Sequence, residues 1–257
     1  MKKTILSLII LTLAFANSSV AQVSNAGVKF DFRNFQSGYF EDKSSLEKNL
    51  IRYNPEIFQL SDDGKYVLNY NNLKGSPYEV NDFSFGFVTD EQSNKSVNLF
   101  LRYNIFSDEV ELRASLDKDD KMIALLKESD ISCKIKGRLY RYASFLDENS
   151  LAKEGYLIQI YKGKHYSLYK RLKSVFTPKK ISENGYAATI KAKFKRTTLY
   201  YIEKGDVISF LPNKKKILIN KFNSKTLGMK RYLKNKKSTL KKEIDLIDLV
   251  KFLDASI

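Results

Sequence analysis

The stretch GYLIQIYKGKHYSLYKRLKSVFTP, Gly155 to Pro178, decides the reading of this chain, because two apolar and aromatic runs flank a Lys-Gly-Lys break. Runs of this kind around a short Gly-containing break predict a β-hairpin. A two-residue type II′ turn takes Gly at its first central position, which makes Gly163-Lys164 the expected tip. That tip sets Tyr161 opposite Tyr166 and Ile158 opposite Tyr169, with other registers left open.

Toward the C-terminus, Ile190, Ala192 and Phe194 alternate with Lys191, Lys193 and Lys195. Strand geometry places the three lysines on one face, with ammonium groups roughly 7 Å apart. They are the candidate binding residues, with Lys170 and Arg171 as further candidates from the hairpin. A solvated or edge-protecting face is the competing reading, since lysines blunt exposed sheet edges. Leu199 to Ile202 and Val207 to Leu211 form another hairpin across Lys204-Gly205. After Pro212 the pattern changes to three short helices, Lys214 to Phe222, Leu227 to Lys234 and Lys242 to Leu253. In the last, Leu246, Leu249, Val250 and Leu253 fall at helical spacing. Helices this short need tertiary support, so they are expected to pack back on the sheet, with a partner-binding tail as the alternative.

Toward the N-terminus, Leu139 to Phe145 gives a strand, and Ile131, Cys133 and Ile135 alternate with Ser132, Lys134 and Lys136, which places Cys133 on a buried face. Val97, Leu99, Leu101, Tyr103 and Ile105 alternate with polar residues, Ser107-Asp108 turns the chain, and Val110 and Leu112 alternate back. This is a half-buried antiparallel hairpin, with Glu109 and Glu111 expected on its solvated face. Phe83, Phe85 and Phe87 share one face of an earlier strand. Asp117, Asp119 and Asp120 precede Met122 to Leu126, an order that predicts a short helix with carboxylates at its positive end. Asp63-Gly64 is a hairpin-turn dipeptide, Val28, Phe30 and Phe32 a weak strand, and Ser44 to Ile51 a helical turn.

The chain starts Met1-Lys2-Lys3, continues with an apolar run from Ile5 to Ala16, and reaches small residues ending at Ala21. This is the layout of a secretory signal peptide over residues 1–21. The run falls short of the roughly 20 residues that span a bilayer, so no transmembrane span is expected, and the location read from sequence is exported: periplasm, cell-envelope-associated or secreted. Residues 22–212 then form a β-rich domain and 213–257 a helical C-terminal segment packed on it. The fold class is mainly β (α+β), an antiparallel hairpin-rich body with a short helical end. One Cys cannot close an internal disulfide, so stability must come from packing.

Residues 1–130 carry 15 Lys and Arg against 19 Asp and Glu, a net −4. Residues 131–257 carry 30 against 10, a net +20, which together give the +16 of the whole chain. Such asymmetry suggests an anionic partner: anionic lipid, lipopolysaccharide or acidic polysaccharide, beside an envelope protein partner. Nucleic acid fits poorly with export, and a purely compositional origin of the lysines is the alternative.

An enzyme would have to work with one His, one Cys and no Trp. There is no G-x-S-x-G, H-E-x-x-H, P-loop or dinucleotide fingerprint, and no catalytic residue, metal ligand or cofactor is expected. Only a carboxylate-dependent glycosidase needs no more than two acids.

The run from Lys74-Gly75-Ser76-Pro77-Tyr78 through Leu101-Arg102-Tyr103-Asn104-Ile105, the Tyr156 to Arg171 hairpin and the lysine-rich helical end resemble exported Bacteroidota proteins of uncharacterised function. That resemblance assigns no site residue. The function expected from sequence is an exported cell-envelope binding or interaction module, with a structural or assembly accessory as the alternative.

Overall fold

A computed structural model describes residues 52, 54–62, 66–116, 123–180, 190–222, 228–235 and 240–257. The signal-peptide reading, the strand at 28–32, the helical turn at 44–51, the Asp63-Gly64 turn and Asp117 to Asp120 lie outside the described residues.

Strands dominate. β1 (Phe58–Leu60) and β2 (Tyr66–Leu68) pair as a small antiparallel ribbon after a 3-10 turn at Pro55–Ile57. The remaining strands share one large sheet: β3 (Leu73–Lys74), β4 (Ser84–Asp90), β5 (Lys95–Asn104), β6 (Glu109–Arg113), β7 (Ile123–Ala124), β8 (Ile131–Ile135), β9 (Arg138–Leu146), β10 (Ala152–Lys162), β11 (Tyr166–Thr177), β12 (Ala192–Lys204) and β13 (Val207–Phe210). Helices α1 (Lys215–Phe222), α2 (Met229–Asn235) and α3 (Glu243–Asp254) follow.

The sheet closes on itself once. β9 pairs with β10, β10 with β11, β11 with β12 and β12 with β13, and β13 returns to β9 through the parallel bridge between Ser209 and Leu146. All five strands contribute to one buried cluster of Ala143, Phe145, Leu157, Tyr169, Tyr201 and Ile208, with Leu199 and Phe210 against it. Side chains thus fill the ring, as expected for a ring this small. From the first half of β9 the sheet runs on, open, through β8, β4, β5, β6 and β7.

Because strand side chains alternate, β9, β10 and β11 serve two cores. Their other faces give Tyr140, Tyr156, Ile158 and Leu172 to a second cluster with Val88, Leu99, Leu101, Tyr103, Val110, Leu112 and Cys133 from the open sheet. A third cluster joins Tyr166, Leu168 and Ile202 to Leu218, Phe222, Met229, Leu233, Leu246, Leu249, Val250 and Leu253. The helices therefore cover the outer side of β11 and β12 near the hairpin tip. Cys133 is fully enclosed, and burial pushes its thiol well above the ordinary cysteine range.

The structure departs from the sequence reading in several places. At the hairpin tip Tyr161 faces Leu168, Lys162 faces Ser167 and Ile158 faces Lys170, with a bulge between Gln159 and Tyr161. The connection is thus four residues long, closed by Gly163 N–H donating to the Tyr166 carbonyl at 2.8 Å. Gly163 lacks the positive φ that a type II′ turn requires. Its missing side chain instead makes room for the Asp254 carboxyl, which accepts N–H bonds from Lys164 at 2.9 Å, His165 at 2.6 Å and Tyr166 at 2.8 Å. Of the helix expected over Met122 to Leu126, Met122 lies outside the described residues, and Ile123 and Ala124 instead pair with Leu112 and Glu111 and so close the open edge of β6. Ala192 to Phe194 and the run at 199–202 merge into the single 13-residue β12, while Ile190 makes only an isolated bridge with Lys180.

Glu109 and Glu111 are buried, not solvated. Glu111 accepts from Arg102 Nη2 at 2.5 Å and Nε at 3.0 Å, and from Asn104 Nδ2 at 3.1 Å. Glu109 has Lys127 Nζ at 3.8 Å. The polar face of β6 is thus a paired interior, in keeping with the rule that buried charges carry partners.

Candidate binding surface

β11 and β12 stay in register for twelve residue pairs, from Tyr166 with Lys204 to Thr177 with Lys193. β10 leaves β11 at Lys170, and β13 leaves β12 at Tyr201. From Arg171 and Leu199 outward the two strands form a ribbon that extends past the ring. One face of this arm is covered: Phe194 packs edge-on against Phe106 at 5.3 Å and tilted against Phe176 at 5.0 Å, above Ile57, Leu73 and Ala192. β3 adds a short parallel pairing at Ala192 and Lys193.

The opposite face of the arm is bare. Lys173, Val175, Lys193, Lys195 and Thr197 are exposed on it, Val175 to 62%. Across the ribbon Lys173 faces Thr197, Val175 faces Lys195 and Thr177 faces Lys193. No two lysines sit directly opposite, so the like-charge repulsion of a facing pair is avoided while three ammonium groups share one surface. Among the described residues none of the three makes an ion pair.

The sequence-derived candidates therefore divide. Lys193 and Lys195 lie together on the bare face. Lys191 precedes the strand and donates from Nζ to the Asn71 carbonyl at 2.7 Å. Lys170 sits on the other side of β11, 15% exposed, and pairs with Glu243 of α3 at 3.1 Å. Arg171, 13% exposed, is held by Asp108 Oδ2 at 2.6 Å. Lys170 thus lies on the opposite face from the stripe, and Arg171, on the same face two residues from Lys173, is engaged by Asp108. Conversely Lys173 joins the surface, which the sequence reading missed. The signal was its i, i+2 spacing from Val175 and Thr177, legible only once the register with β12 is known.

The charges of the ring end belong to closed networks. Asp108 also accepts from Tyr103 Oη at 2.6 Å and from the Tyr156 backbone N–H at 3.3 Å. Burial first, then the neighbouring Asp108 carboxylate, pushes the Tyr103 hydroxyl well above the usual phenol range. Inside the ring Arg141 Nη1 donates to Tyr169 Oη at 3.1 Å, and Tyr169 Oη donates to Glu203 at 2.7 Å. Burial and that hydrogen bond push the Tyr169 hydroxyl up to about 12. With their hydroxyls pushed up, Tyr103 and Tyr169 are poor general acids or bases near neutral pH.

An open cleft of about 480 Å³ between the Gln92 and Ser129 loops and β9–β10 is lined by Lys127, Glu128, Asp130, Tyr142 and Glu154. Glu154 accepts from Ser144 Oγ at 3.0 Å. Among the described residues no three His, Cys, Asp or Glu side chains are grouped to hold a metal ion, and no helix is long and apolar enough to cross a membrane. His165 binds Asp254 through its backbone N–H at the hairpin tip.

No protein-family model, curated protein or solved structure matches this chain.

Proposed function

We propose that the protein is an exported binding module of the cell envelope that holds a polyanionic surface or polymer against the bare face of the arm. The observation that carries this reading is the three-lysine surface of Lys173, Lys193 and Lys195. Among the described residues these lysines make no ion pair, whereas Lys170 and Arg171 on the same hairpin are held by Glu243 and Asp108. A cation already bonded to a carboxylate has little left to offer a ligand, whereas one without an ion pair keeps more of its field. The net +20 of residues 131–257 adds long-range attraction to the same partner.

The signal-like residues 1–21 support export, and intact mass of the native protein checks it: a chain beginning at Gln22 is expected. Binding is checked with anionic vesicles, lipopolysaccharide and an acidic polysaccharide. Each lysine near an anionic membrane contributes about 1 kcal/mol, so replacing Lys173, Lys193 and Lys195 together by Ser is expected to weaken binding by roughly 100-fold at low salt. Raising salt from about 0.1 M to about 1 M should remove most of the wild-type binding as the Debye length falls. Replacing the exposed Lys136, Lys162 and Lys216, which lie on separate elements, changes net charge equally and serves as the control. Equal losses from the two triple variants mean that net charge alone matters, and the proposal then fails.

A further inference from the structure

The outward face of β4 and β5 breaks the usual pattern of an open sheet. Gly86 and Val88 of β4 point inward and are buried, while Phe85 and Phe87 point outward, 63% and 37% exposed. Phe85 lies across from Phe100 of β5, the two rings edge to face at 5.8 Å. A Cβ at Gly86 would run into the backbone carbonyl of Lys134, so glycine lets β8 approach closely and hold β4 firmly from behind. The rings therefore project from a fixed strand, and i, i+2 spacing sets Phe85 and Phe87 roughly 7 Å apart.

Polar groups frame this strip. Arg113, paired across from Phe100, places its guanidinium 4.8 Å from the ring centre of Phe83, and Lys134 Nζ lies 5.8 Å from that of Phe87. The exposed Asn98 lies directly across from Phe87.

We infer that this face is a stacking platform for an acidic glycan: the strip of Phe85, Phe87 and Phe100 takes the C–H faces of sugar rings, Asn98 takes their hydroxyls, and Lys134 and Arg113 take their carboxylate or sulfate groups. The strip is one to two rings wide and flanked by an amide and two cations, which suits a narrow polymer with alternating apolar and polar edges better than the continuous apolar core of a protein interface. A nucleic-acid strand also stacks on aromatic rings, but needs cations that track its phosphates from base to base. Here Lys134 and Arg113 stand at the two ends of the strip, and Arg102 beyond Phe100 is already paired with Glu111. The platform lies on different strands from the arm, and the inference stands or falls independently of the arm's lysines.

The test uses residues 22–257 with alginate as the acidic glycan, dextran as the neutral one and oligo(dT) as the nucleic acid, all at about 0.5 M salt to suppress the contribution of exposed lysines. Phe85→Ala with Phe87→Ala is expected to weaken alginate binding ~10-fold or more at this salt, in line with the loss of two stacked rings. Asn98→Ala, which leaves both rings in place, is expected to weaken it by a smaller factor. The variant lacking Lys173, Lys193 and Lys195 should keep its high-salt binding, which separates failure of the platform from failure of the arm. Thermal melts of all variants control for folding; because Phe85 and Phe87 are exposed, melts close to wild type are expected. Unchanged alginate binding in the double Phe variant overturns the inference. So does a loss confined to oligo(dT), or a loss of self-association without any change in alginate binding.

Discussion

The two ends of the β11–β12 hairpin are one continuous ladder, yet they live in different surroundings. The ring end is enclosed on both faces, by the aromatic filling within and by the helices without. The arm end is covered on one face only. The same residue types therefore do different work. Lys170 and Arg171 at the boundary are themselves mostly covered, and each is drawn into an ion pair. Lys173, Lys193 and Lys195, a few residues further on, remain in water. Enclosure, more than residue type, separates charges that stabilise the fold from charges left over for a partner.

Breaking the enclosed end should have the largest consequence. Asp108→Ala strips Arg171 of its partner, leaves the Tyr103 hydroxyl and the Tyr156 N–H without an acceptor, and is expected to cost about 3 kcal/mol or more by urea unfolding. Asp108→Asn keeps one acceptor oxygen and should cost less.

The cap between the helices and the hairpin tip comes next. Asp254→Ala removes the acceptor of three backbone N–H groups and is expected to cost about 1–2 kcal/mol. Partial burial works against ionisation of Asp254, but the N–H groups of His165, Lys164 and Tyr166 outweigh it and hold the carboxyl below its ordinary value. The stabilisation is therefore fully present above the unfolded value near ~3.9 and is lost as pH falls through the lower folded value. Asp254→Asn should differ most from wild type at neutral pH and converge with it in acid, as read from urea midpoints across that range.

The bare end should show the smallest effect on stability. The Lys173, Lys193 and Lys195 to Ser variant is expected to unfold within about 0.5 kcal/mol of wild type. A stability loss as large as that of Asp108→Ala would erase the distinction between the two ends.

How much of this could be read beforehand depends on the range of the interactions. Alternation along Leu99, Leu101 and Tyr103 against Val110 and Leu112 is local, and it gave the strands, their pairing and their buried faces correctly. The helical spacing of Leu246, Leu249, Val250 and Leu253 likewise gave the buried stripe of α3. The fold class, mainly β with a helical C-terminal end, followed from such local patterns. What alternation does not carry is the identity of nonlocal neighbours. The Glu109 and Glu111 face looked solvated because Arg102 and Lys127 are not adjacent in sequence. The hairpin tip was misread because its acceptor, Asp254, lies some ninety residues away. Of the candidate site, Lys193 and Lys195 were legible as a stripe, while Lys173 required the cross-strand register and the pairing of Lys170 required the position of α3.

The Asp254 clamp also bears on the order in which the chain acquires its shape. The N–H groups of residues 164–166 wait for an acceptor carried on the last turn of α3, 88 to 90 residues downstream. A chain emerging N-terminus first can zip β10 against β11, but it cannot lock the tip until α3 has been made. In the interval the apolar outer side of β11 has no lid. Docking of α3 must therefore follow the pairing of β10 and β11, and a chain truncated before Asp254 loses the bolt that fastens α3 to the hairpin tip.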